Sequence, residues 1–365
     1  MINLNFLPSR RLSVYMAKLF ITRSLAVLVA LVLVLMTLDL LGESGKILAV
    51  PGNGEAQLWH YVGLRLPLLV QKFLPFSVLL GTLISFTALN QHSEITSMKA
   101  AGLSAHQILA PMILASFVLA VFTFAFNETV AVPSQRAVNA WSDNDYKPVD
   151  MDSEMVTDAW LRDGDRLIHA GHIGYTGGIH LERVTIYDRK NGALSQISDV
   201  QHASPLPGGG WKLEGVASYD VGGHVVRKIA AMRGLDGIEP DRFTLAKVDP
   251  TEKDFVTLRR DIDALHLAGR PAEEAETGWW HKLSGPLSTV LMPLLAAMAA
   301  FGLARSGKTL LRATMGMALG FAYFVVDNVS VALGNVGAYP PMLAAWAPFF
   351  LFLLIGETVL VRSEE

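Results

Sequence analysis

Six apolar segments, three on each side of a polar block of about 140 residues, constrain this 365-residue chain more than any other feature. They run near 17–41, 66–90, 105–130, 280–303, 310–333 and 339–361. A helix that crosses a bilayer needs roughly 20 mostly apolar residues, and each segment meets that length. Pro67, Pro75, Pro111, Pro286, Pro293 and Pro348 interrupt the segments. They would break soluble helices but are tolerated in a membrane. Charged residues make up 17% of the chain, against about 25% in soluble domains. Most of them fall in 134–282. The pattern predicts three spans in 1–133, an insert in 134–277 and three spans in 278–365.

Lysine and arginine bias sets the orientation of a membrane protein. Arg10, Arg11, Lys18 and Arg23 lie at the start of the first span, and Lys99 lies between the second and third. Arg305, Lys308 and Arg312 separate the fourth from the fifth, and Arg362 follows the sixth. All share one side if the N-terminus is cytoplasmic, which makes the insert external. Ser9-Arg10-Arg11 faintly resembles a twin-arginine signal. No small-residue cleavage site follows at Leu41-Gly42-Glu43, so a retained helix is the expectation.

The insert reads as β. Strands are expected over 156–162 and 166–175 around Asp163-Gly164, over 179–188 and 193–203 around Asn191-Gly192, and over 211–219 and 225–232 around Gly222-Gly223. Such turn pairs mark hairpins, and the spacing suggests a sandwich or open barrel. Its apolar interior is either a lipid-accepting groove or an ordinary core. Residues 253–277 read as helical and lead to Trp279 and Trp280, placed as an interfacial aromatic belt.

Several functions lack support. There is no cysteine, hence no disulfide or thiolate metal site. No basic stripe suggests nucleic acid, and the ten histidines, His169 and His172 among them, show no metal-ligand spacing. No catalytic constellation can be argued. Gly302-Leu-Ala-Arg-Ser-Gly307-Lys308-Thr309 matches the phosphate-loop pattern by letter, but it sits between two membrane segments instead of following a strand. A basic cytoplasmic loop explains it better.

The segment from Asn90 to Ser104 predicts a short helix at the cytoplasmic face. Ser93 is expected as N-cap, Glu94 in the first turn and Gly102 as the C-terminal stop. Either it docks on a soluble partner or it is a plain connector. Gly316-Met-Ala-Leu-Gly320 is a close-packing GxxxG motif, inviting a helix of this chain or of another.

Ser93-Glu94-Ile95, Met98 and Ala101-Gly102 resemble the coupling helix of the LptF/LptG (YjgP/YjgQ) permeases of the lipopolysaccharide export ABC transporter. Pro75 and Gly81, Glu128 to Pro133, Trp160 to Gly164 and Pro286-Leu287-Ser288 match as well. Gly320-Phe321, Tyr323, Asp327 and Pro340-Pro341 are more similar to the LptG branch than to LptF. The resemblance covers nearly the whole chain. It implies an α-helical inner-membrane protein with six transmembrane helices and an inserted periplasmic β-jellyroll-like domain.

By the same resemblance, Ser93, Glu94, Ile95, Met98 and Gly102 meet the ATPase LptB, present in two copies. Gly316 and Gly320 then face the sibling permease LptF, LptC associates, and a periplasmic bridge leads to LptA. The chain carries no cofactor, since ATP binds to the partner. Lipopolysaccharide enters between span 1 of one permease and span 5 of the other, and is expelled upward when the ATPase pair closes. The family's lysines near the outer end of span 1 are missing here: Met36 to Glu43 carries Asp39 and Glu43 instead. Arg65 and Lys72, seven apart on one helical face, are candidate substrate contacts, with Asp39 as a third. An internal pair of Lys72 with Asp39 or Asp327 is the competing reading. From other classes, a membrane enzyme with an external catalytic domain and a scaffold protein remain as alternatives.

Overall fold

The computed structural model describes residues 7–147, 155–174, 179–190, 193–206, 209–220, 225–238, 240, 243, 248–267, 269–298 and 309–362. The helices are α1 (Arg10–Leu48), α2 (Glu55–Gln91), α3 (Glu94–Ala100), α4 (Ala105–Phe126), α5 (Val132–Asp143), α6 (Phe255–Leu267), α7 (Glu273–Ala297), α8 (Thr309–Asn335) and α9 (Pro341–Arg362). A π-helical turn, Asn127–Ala131, joins α4 to α5 without a break. Two compact units result: 1–135 with 250–262 and 269–365, and 136–249 with 263–268. Residues 250–262 and 269–277, placed in the insert on sequence grounds, therefore pack with the helices.

Among the described residues five helices are long and apolar enough to cross a membrane. They are α1, α2, the continuous run Ala105–Asp143, the Thr314–Asn335 part of α8, and α9. The fourth expected span falls on α7, whose described residues end at Met298. The rest of that segment and the phosphate-loop lookalike through Lys308 lie outside the described residues. What is described of α7 is the centre of the helical unit. Leu291 through Ala297 are all buried, and α7 packs against α2, α4, α8 and α9. The other spans keep large apolar side chains exposed, among them Val29 and Leu33 on α1, Phe117 and Val121 on α4, and Phe321 and Val329 on α8. Exposed apolar faces of this kind, on three helices, suit hydrocarbon, not water.

The second unit is one antiparallel sheet of β1 (Met155–Asp163), β2 (Arg166–Gly174), β3 (His180–Lys190), β4 (Ala193–Pro205), β5 (Trp211–Asp220) and β6 (Val225–Gly234). The strands lie in chain order, so each pairs with the next as a meander. They form one sheet, and no jellyroll crossover occurs among the described residues. Every predicted strand is present within a few residues of its expected bounds. The Asp163-Gly164 turn is confirmed by Gly164 at φ +58°; the other two turn pairs lie outside the described residues. One face carries Ala159, Ile168, Ala170, Ile173, Leu181 and Val184, all at 0% exposure. Trp211 fills that core, donating its indole N–H to the Ile238 carbonyl at 2.9 Å with Phe243 edge-on at 5.3 Å. The apolar face is thus a packed core in this structure, the second of the two readings.

Candidate functional site

The tight α2–α3 turn dictates the backbone at Ser93. His92 closes α2 on Ala88, and Ser93 must then turn left-handed, at φ +58°. Its side chain makes no cap hydrogen bond, contrary to the expectation. Its carbonyl serves instead, accepting both the amide and the hydroxyl of Ser97 at 3.0 Å. At the other end Gly102 adopts φ +87°. The Gly102 amide donates to Lys99 at 2.9 Å and the Leu103 amide to Met98 at 3.1 Å, a Schellman stop. Ser104 and Gln107 then form a reciprocal capping box on α4. Both ends of α3 are fixed, although a helix of 7 residues has little stability of its own.

Burial divides the expected coupling residues. Ile95 and Met98 are buried and anchor α3 to the chain. Glu94 accepts the Tyr15 hydroxyl at 3.0 and 3.2 Å, tying α3 to α1. The open face is formed by Thr96, Ser97, Lys99 and Ala100. By resemblance Ser93, Glu94, Ile95, Met98 and Gly102 all belonged to the contact. In a helix this short, Ile95 and Met98 are the apolar residues that hold it to the bundle.

The intramembrane charges pair differently from expectation. Asp39 on α1 receives two arms of Arg65, the closest at 3.0 Å, and the Tyr61 hydroxyl at 2.7 Å. The internal partner of Asp39 is therefore Arg65, not Lys72. Asp327 meets His281 at 3.1 Å, so it too leaves Lys72 alone. Lys72 is exposed, with no carboxylate partner among the described residues. The glycine motif is used inside the chain. Gly316 and Gly320 are buried, and a Cβ on Gly320 would fall 2.0 Å from Leu79 of α2. Gly320 thus meets a helix of this chain, one of the two partners the motif allowed.

A second cluster was missed in the sequence. Glu128 lies in the π turn, and its carboxylate accepts Lys282 Nζ at 2.9 Å and Asn127 Nδ2 at 3.0 Å. The same carboxylate takes the Phe255 amide, the first N–H of α6. Phe255 stacks on Trp279 at 4.6 Å, and the Trp279 indole donates to the Phe255 carbonyl at 3.1 Å. Arg259 lies over the same indole. Trp279 therefore fastens α6 to α7, beyond any role at the membrane surface. The sequence signal was there, since Glu128 and Lys282 both interrupt apolar runs, but each read as a boundary charge.

Asp254 completes the start of α6. It accepts the Val256 amide at 3.1 Å, the Thr257 amide at 2.9 Å and the Thr257 hydroxyl at 2.6 Å. Burial alone would raise its carboxyl, but these hydrogen bonds outweigh that and hold it below its ordinary value. A lowered carboxylate stabilises the fold above its unfolded pKa, and that contribution fades as pH falls through the folded one. Asp254→Ala should cost about 1 kcal/mol at neutral pH, and the difference from the parent should shrink on acidification. Thermal unfolding at neutral and strongly acidic pH checks both. An Asp254→Ala penalty that stayed constant into strong acid would contradict this role.

The comparisons bear on the whole chain. A family model described as "Lipopolysaccharide export system permease LptF/LptG" matches residues 14–362. This chain belongs to that family. Lipopolysaccharide export system permease protein LptG of Escherichia coli (strain K12) is 26% identical over 311 residues, covering 83% of this chain and 85% of that protein. LptG of Haemophilus influenzae is 25% identical over 326 residues, covering 86% and 89%. The match begins four residues into α1 and ends at the last residue of α9, so it includes α3, the sheet and the Glu128 cluster. The chain is thus an LptF/LptG permease along its length, not a membrane domain joined to an unrelated external one.

Proposed function

We propose that this chain is the LptG-type permease subunit of a lipopolysaccharide export transporter. It crosses the bacterial inner membrane six times, with both termini cytoplasmic and the β domain periplasmic. The basic residues at one set of span ends support that orientation. It extracts lipopolysaccharide from the outer leaflet and passes it to a periplasmic bridge. Two copies of LptB hydrolyse ATP, LptF is the sibling permease, and LptC and LptA follow on the periplasmic side. Energy input is required, because taking acyl chains out of a bilayer costs about 0.8 kcal/mol per CH₂. In their most apolar stretches α1 and α8 are the least buried spans, at 17% each against 56% in α2. Those are the surfaces a lateral lipid gate between two permeases needs.

The observation that carries this reading is α3. A helix pinned at both ends and by Ile95, Met98 and Glu94 moves only with α1, α2 and α4. A push on its open face is then delivered to the spans. Ala100→Trp should block that face and reduce co-purified ATPase by roughly tenfold or more, as for a residue central to an interface, while LptF is retained. Ile95→Ala should loosen α3 and uncouple ATP hydrolysis from transport. Unchanged recovery of the ATPase with Ala100→Trp would refute the docking role. Lys72, exposed and unmatched, is the remaining candidate for a substrate phosphate.

A further inference from the structure

A cavity of about 460 Å³ opens beside α1, α2 and α8, lined by Arg23, Leu80, Ile84, Thr87, Gln91 and Met317 among others. Ligand pockets are commonly roughly 300–1,000 Å³. Leu80, Leu83, Ile84, Thr87, Ala88 and Gln91 recur at three- and four-residue intervals, so they form one face of α2. That face is graded along its length. It is apolar from Leu80 to Ile84 and polar at Thr87 and Gln91, and the change spans about 10 Å at 1.5 Å per residue. Arg23 stands at the transition, half-buried, with one arm donating to the Ile84 carbonyl at 2.6 Å.

Apart from the Arg23 bond to Ile84, the polar groups along this face have no partner among the described residues. No carboxylate pairs with Arg23 among the described residues, so a guanidinium inside a span keeps donors beyond the one that reaches Ile84. Such a group is costly in hydrocarbon unless an anion or water reaches it. The hydroxyls of Ser77, Thr82 and Ser85 on the same helix bond back to the carbonyls of Phe73, Val78 and Gly81. Thr87 makes no such bond and has no other partner among the described residues. Gln91 is likewise unmatched and exposed.

We infer that this groove binds an anionic phospholipid, with an acyl chain along Leu80, Leu83, Ile84 and Met317. Its phosphate is held by Arg23, with Thr87 and Gln91 as further donors. A lipid has the polarity profile of the face: long, apolar at one end and anionic at the other. A transmembrane helix from a partner has no matching need for a cation at mid-groove. The phosphate end points toward α3, so by the orientation proposed above the lipid belongs to the cytoplasmic leaflet. That assignment of leaflet rests on the proposed orientation.

The test uses the full permease complex in nanodiscs of phosphatidylcholine and phosphatidylglycerol in equal parts, read by native mass spectrometry. A phosphatidylglycerol carrying a photoactivatable acyl chain maps the site. The expected result is a phosphatidylglycerol adduct favoured over phosphatidylcholine, with crosslinks in 80–91. Arg23→Gln should weaken it about tenfold to a hundredfold, the effect of a lost charged hydrogen bond. Ile84→Trp fills the groove and should remove the adduct with assembly intact, which keeps the test valid if Arg23→Gln misfolds. Equal retention of both lipids, crosslinks to a partner helix instead, or displacement by inorganic phosphate with no crosslinked tail would each overturn it. Ser97→Cys, in a chain that has no other cysteine, reports orientation separately. Labelling from the periplasmic side would reject the cytoplasmic leaflet while leaving the site standing.

Discussion

Lys282→Met is expected to destabilise the helical unit by about 3–5 kcal/mol, the usual cost of leaving one member of a buried ion pair alone. The side chains of Lys282 and Glu128 are only 7% and 15% exposed. Without Lys282, Glu128 keeps the Asn127 amide and the Phe255 N–H but loses its only cation among the described residues. Glu128→Leu should be comparably damaging, since it strands the ammonium and uncaps α6. The double variant should recover much of the loss, because an apolar pair of similar volume often matches a buried salt bridge. Unfolding of the purified permease in detergent measures all three. A Lys282→Met variant within about 0.5 kcal/mol of the parent, the range of an ordinary surface change, would show that the pair is effectively solvated. Transport by a stable double variant then tells whether the pair does more than hold α4, α6 and α7 together. Loss of transport with full stability would assign it a role in motion, which its place in a π turn makes reasonable, since such turns gather at functional sites.

How much of this was legible in the sequence depends on the range of the interaction. Local rules served well. Turn pairs located six strands, and Gly102 marked the end of α3 because only glycine tolerates that backbone cheaply. The strand connectivity was not legible, because alternation states which face is buried and not which strand is adjacent. Pairing of charges failed for the same reason. Arg65 and Lys72 share a helical face and looked equivalent, yet Arg65 lies at the height of Asp39 and Tyr61, and Lys72 two turns away does not. Which face of α3 turns inward was not legible, because hydrophobic residues in a 7-residue helix satisfy either docking outward or anchoring inward. Only the packing of Ile95 and Met98 decides between them. Glu128 and Lys282 are 154 residues apart, a separation that no periodicity reaches.

Gly81→Ala should be among the most damaging small substitutions in the helical unit. A Cβ there would lie 2.5 Å from the Ser24 Cα and 2.6 Å from its amide nitrogen. Both are backbone atoms, so α1 itself must move away from α2. Overpacking of this kind typically costs about 1–3 kcal/mol, and the upper end applies when no side chain can swing aside. Gly320→Ala is the control. Its Cβ would be even closer to a neighbour, 2.0 Å, but that neighbour is the Leu79 Cδ2 methyl, which a rotamer change can remove. Thermal unfolding should therefore rank Gly81→Ala well below Gly320→Ala, although a simple distance criterion gives the reverse order. Equal losses, or a milder Gly81→Ala, would mean that α1 is free to slide on α2. The displacement should also break the adjacent Arg23 hydrogen bond to Ile84, so Gly81→Ala should lose the phospholipid adduct as well. Close contact at Gly81 thus links two properties of α1. It is held to α2 at Gly81 and again at Asp39 while most of its surface is left open, which is what a span forming one side of a lateral gate requires.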